Sequence, residues 1–346
     1  MTAMGDPKVS ILWLNYNSSS FMELAAESLR GVEDLDYPNY ELIVVDNCSS
    51  DGSFKAVTDI LAKMRCRARM IRLAKNLGFT GGNNIAYRAR YPNSEYVALL
   101  NNDAVPYRDS LRDLVEYMEG DERVAAAQGV ILNNDGTVID TAGNFISETL
   151  GSLPLLRGSN PKSLTKEFDI SYADGCYSIY RIAAVRNAVR SDDRLFDDDM
   201  FAYYDDSILG LKLWHSGFKT RTVPVIAARH ERSSSFKGNR ALRTYLGTRG
   251  QVVLNEISNS RYKNLIRMSH VKRALRTEAR RALRDGIRIG VTKRKLGERI
   301  DIYRAPVVRV DPFVGFVGCL AFLRVVDKSI IKAHPSLRMW DESSPE

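Results

Sequence analysis

Over the first 130 residues, short apolar runs alternate with stretches of helical spacing. "KVSILWL" (8–14), "ELIVVDN" (41–47), "ARMIRL" (68–73), "YVALL" (96–100) and "VAAAQGVIL" (124–132) each have the length of a strand. Between them, Phe21, Leu24, Ala25 and Leu29 mark one helix face. "SFKAVTDILAKM" (53–64) marks a second helix, with Asp51 or Ser53 as its N-cap, and "GNNIAYRAR" (82–90) opens a third. Such alternation predicts an α/β fold with parallel strands joined by helical crossovers. "NNDG" (133–136) predicts a hairpin turn. The pattern weakens over 148–172, where Gly151, Pro154, Gly158 and Pro161 predict a long loop. A helix is expected over 204–216 and one or two strands over "KTRTVPVIAARH" (219–230). Further on, "VKRALRTEARRALRDGI" (271–287) sets Leu275, Ala279, Ala282, Leu283 and Ile287 to one side and arginines elsewhere. That is the pattern of a basic amphipathic helix.

The polar residues matter as much as the apolar ones, because they collect where the strands end. Asn15 and Asn17 follow the first run, Asp46 and Asn47 the second, "KNLGFTGGNN" (75–84) the third, and Asn101, Asn102 and Asp103 the fourth. A single Asp at a strand end reads as a turn residue, since Asn and Asp bond their own backbone. Four polar ends on one edge of a parallel sheet read as a nucleotide-sized site. Gly78, Gly81 and Gly82 are expected to let backbone approach a ligand closely. "GFTGGN" lacks the G-x-G-x-x-G spacing and no phosphate-binding G-x-x-x-x-G-K-[ST] occurs, so a diphosphate is expected to be held through a hard divalent cation.

The ordered set "VSILWLNYNSS", "LIVVDNCSSDGS", "NLGFTGGNN", "YVALLNND", "DGCYSIYRIAAV", "LFDDDMFAYYDDSILGLKLWHSGFK" and "VPVIAARH" resembles inverting family 2 glycosyltransferases, over roughly residues 8–236. The nearest likeness is to rhamnosyl- and galactofuranosyl-transferase-like members. The resemblance implies a GT-A fold with a mostly parallel central sheet flanked by helices. It implies a catalytic domain over 1–236, with a nucleotide-sugar half to about 130 and an acceptor half beyond, and then a basic, mostly helical C-terminal region over 237–346. It also implies sugar transfer from a nucleotide-diphosphate sugar to a hydroxyl of a glycan or polyprenyl-linked saccharide, with Mg2+ or Mn2+, in polysaccharide biosynthesis at the cell envelope. By the same resemblance Asp46 reads the nucleobase and Asp103 holds the metal from the place of the family's D-x-D motif. Asn101 stands where Asp is common. His230 completes the metal site, and Asp206, in an Asp205–Asp206 pair replacing Glu-Asp, is the catalytic base. Ile208 departs from a further Asp of the family. Asn15, Asn17, Asp46, Asn76, Gly82, Asn84, Asn101 and Asn102 are expected to line the nucleotide-sugar site. Two alternatives remain: an inactive nucleotide-sugar-binding module of the same fold, and a sugar nucleotidyltransferase. The latter usually carries a basic glycine-rich loop where this chain reads "NYNSSS".

Charge adds one further expectation. The chain of 346 residues carries a net +8, yet residues 231–304 hold 20 Lys/Arg against 6 Asp/Glu, or +14. Residues 305–346 hold five of each, which leaves −6 on residues 1–230. So local a basicity predicts docking on an anionic membrane surface rather than nucleic-acid binding, since the segment lacks the interleaved aromatics of a stacking platform. The apolar stretch 312–323 is too short to span a bilayer but could lie in its interface. The four cysteines are scattered, which argues against a zinc or disulfide framework. No apolar run precedes Val9, so a cytoplasmic location is expected, with peripheral contact on the inner face of the cell membrane.

Overall fold

The computed structural model describes residues 5–232, 239–274 and 277–310. The N-terminal half alternates as its apolar runs predict: β1 (Val9–Asn15), α1 (Met22–Glu33), β2 (Tyr40–Asp46), α2 (Ser53–Leu61), β3 (Ala68–Arg72), α3 (Gly78–Ala89) and β4 (Tyr96–Asn101). There follow β5 (Ala104–Pro106), α4 (Ser110–Glu119), β6 (Val124–Asn133), β7 (Ile139–Thr141) and β8 (Asn144–Ser147). The stretch expected as loop carries two short strands, β9 (Ser152–Pro154) and β10 (Phe168–Asp169). Then come β11 (Tyr177–Arg181), α5 (Ile182–Val189), α6 (Asp205–His215) and β12 (Lys219–His230), the last a single strand with register shifts. The C-terminal region holds α7 (Arg240–Ile257), α8 (Lys263–Arg273), α9 (Thr277–Lys295) and β13 (Val307–Val308). The one helix expected over 271–287 therefore falls across α8 and α9, and residues 275 and 276 lie outside the described residues. The interfacial stretch 312–323 lies outside them too.

The main sheet runs β10-β12-β6-β11-β4-β1-β2-β3. β3, β2, β1 and β4 are parallel, whereas β11 is antiparallel to both β4 and β6. Its two faces explain the unbroken apolar runs. Ile11, Trp13, Val44, Ala98 and Leu100 are buried on one side, and Leu12, Ile43, Val45, Val97 and Leu99 on the other. A strand covered on both faces has no solvent side to alternate with.

A third core joins the C-terminal region to the rest. Ile146, Leu150, Tyr172, Met200, Ile208 and Leu211 pack with Val253, Leu254 and Ile257 of α7 and with Ile289 of α9. At about 25 cal/mol per Å² of apolar surface removed from water, such a core ties α7 to the α/β part of the chain.

Candidate active site

Parallel pairing puts the polar strand ends on one edge. Asn15 is the register partner of Asp46, and Leu14 that of Asn101. Both Asn15 and Asp46 are buried. Asn15 Nδ2 donates to Asp46 Oδ1 at 2.8 Å, the Ser49 backbone N–H donates to Asp46 Oδ2 at 3.1 Å, and Ser18 Oγ donates to Asn15 Oδ1 at 2.6 Å. Asn17, with a positive φ of 47°, accepts from the Ser50 backbone N–H at 2.9 Å. These residues form one closed network that pins the loops after β1 and β2 together.

The glycine-rich segment after β3 is anchored likewise. Asn47 Oδ1 accepts from the Leu77 N–H at 2.8 Å, and Asn76 Oδ1 accepts from the Gly78 N–H at 2.7 Å. Gly82 and Asn84, expected at the ligand, are engaged inside the protein. A Cβ at Gly82 would lie 2.4 Å from Leu14 Cδ1, so this glycine lets α3 approach β1. Asn84 is fully buried. Its Nδ2 donates to Phe196 O and Asp198 Oδ1, and its Oδ1 accepts from the Leu195 and Phe196 N–H groups, so it brackets a distant loop.

Asn101, Asn102 and Asp103 leave β4 beside the chain entering β11, where the Asn101 N–H donates to Cys176 O at 2.8 Å. Asn102 Nδ2 is buried and meets no protein acceptor. Asp103 Oδ1 lies 3.3 Å from His230 Nε2, and His230 Nδ1 lies 3.1 Å from Asp140 Oδ2. Burial pushes the imidazole toward neutrality, but hydrogen bonds to Asp103 and Asp140 outweigh it and raise its pKa to about 9. Both ring nitrogens then donate. Arg232 Nε also bonds Asp140, and its fork reaches Asp174 Oδ2 at 3.8 Å.

A buried carboxylate oxygen beside an imidazole nitrogen is a donor pair that a hard divalent cation can share, once the ring proton leaves. Among the described residues no group of three or more His, Cys, Asp or Glu side chains is arranged to hold a metal by itself. Asp103 and His230 therefore fit a metal whose remaining ligands come from elsewhere, as oxygens of a bound diphosphate do.

Asp205 and Asp206 open α6. Burial raises the Asp205 carboxyl to about 7, helped by Asp174. Burial, then the neighbouring Asp205 and Asp174, also push Asp206 well above the ordinary carboxylate range. The Ser207 N–H donates to Asp206 Oδ1 at 2.7 Å and works the other way. Burial and mutual repulsion thus give both carboxyls a higher proton affinity than an exposed acid has. Ile208, where the resemblance leads one to expect an acid, is buried in the third core.

Asp140, Asp174 and Arg232 escaped the sequence reading. Asp174 lay in a quoted motif, "DGCYSIYR", and acts on both His230 and the Asp205–Asp206 pair. Asp140 gave no signal, since it sits 90 residues from the histidine it meets.

A central α/β sheet flanked by helices, followed by a C-terminal helical region, is the arrangement of the GT-A fold. Residues 10–188 match the Glycosyl transferase family 2 domain, and the chain belongs to that family. TuaG of Bacillus subtilis (strain 168), named for teichuronic acid biosynthesis, is 28% identical over 135 residues, which are 39% of this chain and 51% of that protein. The match thus spans about half the length of that relative. S. aureus TarS 1-349 in complex with UDP-GlcNAc superposes with a TM-score of 0.57 at 14% identity, covering 94% of this chain and 92% of that one. GalNAc-T7 with UDP, GalNAc and Mn2+ gives a TM-score of 0.59 at 11% identity, covering 95% of this chain and 58% of that one. At such identities the likeness speaks for the fold alone.

Proposed function

We propose that this protein transfers a sugar from a nucleotide-diphosphate donor to a hydroxyl of a glycan or lipid-linked saccharide in one inverting displacement. The observation that carries the reading is the pairing of two unlike acidic sites, Asp103 with His230 and Asp205 with Asp206, linked electrostatically through Asp174. Asp206 takes the acceptor hydroxyl proton as the new bond forms at the anomeric carbon and the bond to the diphosphate breaks on the other face. Asp103 and His230 would hold Mg2+ or Mn2+, which would supply positive charge to offset the negative charge gathering on the leaving diphosphate. Asn102, with its unpartnered buried amide, donates to the donor. Asn15, Asp46 and Asn76 hold in place the loops expected to line the nucleotide-sugar site. The domain division at about residue 236 and a role in envelope polysaccharide synthesis belong to this reading. TuaG's name supports the latter.

Docking on an anionic membrane is part of the proposal. Met268 and Val271 are exposed on α8, and Arg281 and Arg284 on α9 keep about three quarters of their side chains in solvent. Each basic residue near an anionic leaflet contributes about 1 kcal/mol. Among the described residues no helix is long and apolar enough to cross a membrane.

The test is nucleoside-diphosphate release from UDP-, GDP- and dTDP-sugars with an oligosaccharide acceptor, followed by NMR of the product's anomeric proton. Release with inverted configuration is expected. Failure with every donor, or a retained configuration, overturns the reading. Co-sedimentation with anionic vesicles at low salt tests the membrane element, and protein left in the supernatant overturns it.

A further inference from the structure

The turn that delivers Asp205 and Asp206 to α6 has an unusual backbone. Its φ is +60° at Phe201, +70° at Tyr203 and +65° at Tyr204, a region that residues with a Cβ rarely occupy. Such a conformation persists only where its surroundings force it.

Two walls do so here. On the donor side, the Thr80 N–H donates to Phe201 O at 3.1 Å, and a Cβ at Gly78 would stand 2.4 Å from that same oxygen. The opposite wall is α7. The Arg249 side chain is buried and its guanidinium donates to Met200 O. At the next residue, Gly250, a Cβ would lie 2.8 Å from Tyr203 O and 2.9 Å from Tyr204 Cβ. Gln251 Nε2 reaches Leu150 O at 3.3 Å, the same oxygen to which Tyr204 Oη donates at 3.0 Å. Arg249 and Gly250 of α7 thus touch the turn directly, and Gln251 shares the Leu150 carbonyl with Tyr204.

We propose that α7 is a positioning element of the active site, in which Arg249 and Gly250 clamp the turn over 200–204 and thereby aim Asp206 at the acceptor hydroxyl. The proposal rests on the reading of Asp206 as the base. It assigns to the C-terminal region a part in the chemistry itself, in addition to any docking role. A base displaced by an ångström is costly because the proton must pass within hydrogen-bond reach as the glycosidic bond forms.

Gly247 supplies an internal control, since it lies one helical turn earlier in α7 and an added Cβ there meets nothing within 4 Å. Gly250→Ala is expected to lower kcat by about 10- to 100-fold with donor KM held within about 2-fold, while Gly247→Ala leaves both within about 2-fold. Arg249→Lys, which keeps the charge but loses the fork, should fall between wild type and Arg249→Met in kcat. Folded Gly250→Ala with the kcat of Gly247→Ala overturns the proposal, as does a loss of donor affinity that accounts for the whole defect. If Gly250→Ala does not fold, the Arg249 pair decides: Arg249→Met with wild-type kcat overturns it. A wild-type protein that transfers no sugar overturns the functional reading instead. Crystal structures of Gly250→Ala and wild type then decide the clamp. A turn 201–206 shifted only in the variant supports it, and an unmoved turn overturns it.

Discussion

The edge formed by β1, β2 and β4 and the turn leading into α6 both gather acids, but they treat them in opposite ways. On the edge each carboxylate has its partner: Asp46 is bonded by Asn15 and the Ser49 N–H, and Asp103 faces an imidazole that stays protonated to a pKa of about 9. At the turn, burial and the mutual charge of Asp205, Asp206 and Asp174 raise the proton affinity of both carboxyls, that of Asp205 to about 7. The edge is held by hydrogen bonds between its own strand ends, whereas the turn has three positive-φ residues and is packed between Gly78 and Gly250. Environment alone thus separates the two groups of acids: one is paired with a cationic ring and the other with further acids.

Asp206→Asn should sharpen this comparison most. Transfer should fall by about 10²-fold or more while donor binding survives, because the amide keeps the shape but accepts no proton. Calorimetry of donor binding beside turnover checks this. If Asp205→Asn is the dead variant and Asp206→Asn is active, the base is the neighbour. Asp103→Ala should remove metal-dependent turnover, and full wild-type activity in excess EDTA would break the assignment of the edge.

Stability separates the regions next. Lys293 of α9 lies 3.1 Å from Asp197 and 3.2 Å from Asp199, just upstream of the strained turn. Lys293→Met should destabilise by about 3 kcal/mol in denaturant unfolding, since it removes one partner of a buried ion cluster. Burial raises Asp197, but Lys212 and Lys293 bring it down to about 2. A carboxylate whose pKa falls on folding stabilises above its unfolded value of about 4, and that stability is lost as pH falls toward 2. The variant should therefore lose less than wild type on acidification through that window. Gly82→Ala, on the donor side, should cost about 1–3 kcal/mol by forcing α3 off Leu14.

The smallest effect is a shift in pH dependence. Asp205→Asn removes a neighbouring charge, so the Asp206 carboxyl should titrate lower and the acid limb of kcat should move to lower pH. Stability should move in the matching sense. A carboxyl whose pKa rises on folding stabilises below about 4 and loses that contribution as pH climbs through about 7, so the variant should melt higher than wild type at pH 8. An unmoved kcat limb would show that Asp205 does not set the proton affinity of Asp206.

The sequence alone determined the alternation of strands and helices, the parallel edge and the gathering of Asn15, Asp46 and Asp103 along it. These depend on periodicity within ten residues and on the rule that crossovers make parallel strands. Its ordered motifs also pointed to the family. Only the tertiary structure decided that Gly82 and Asn84 face inward, because their neighbours Leu14 and Phe196 arrive from other elements. It alone set Asp140 behind His230 and Arg249 behind Met200, contacts spanning 90 and 49 residues. Such pairings leave no local pattern. They are fixed by tertiary packing, and burial, which shifts the Asp205–Asp206 pair, is a property of that packing and not of any segment of the chain.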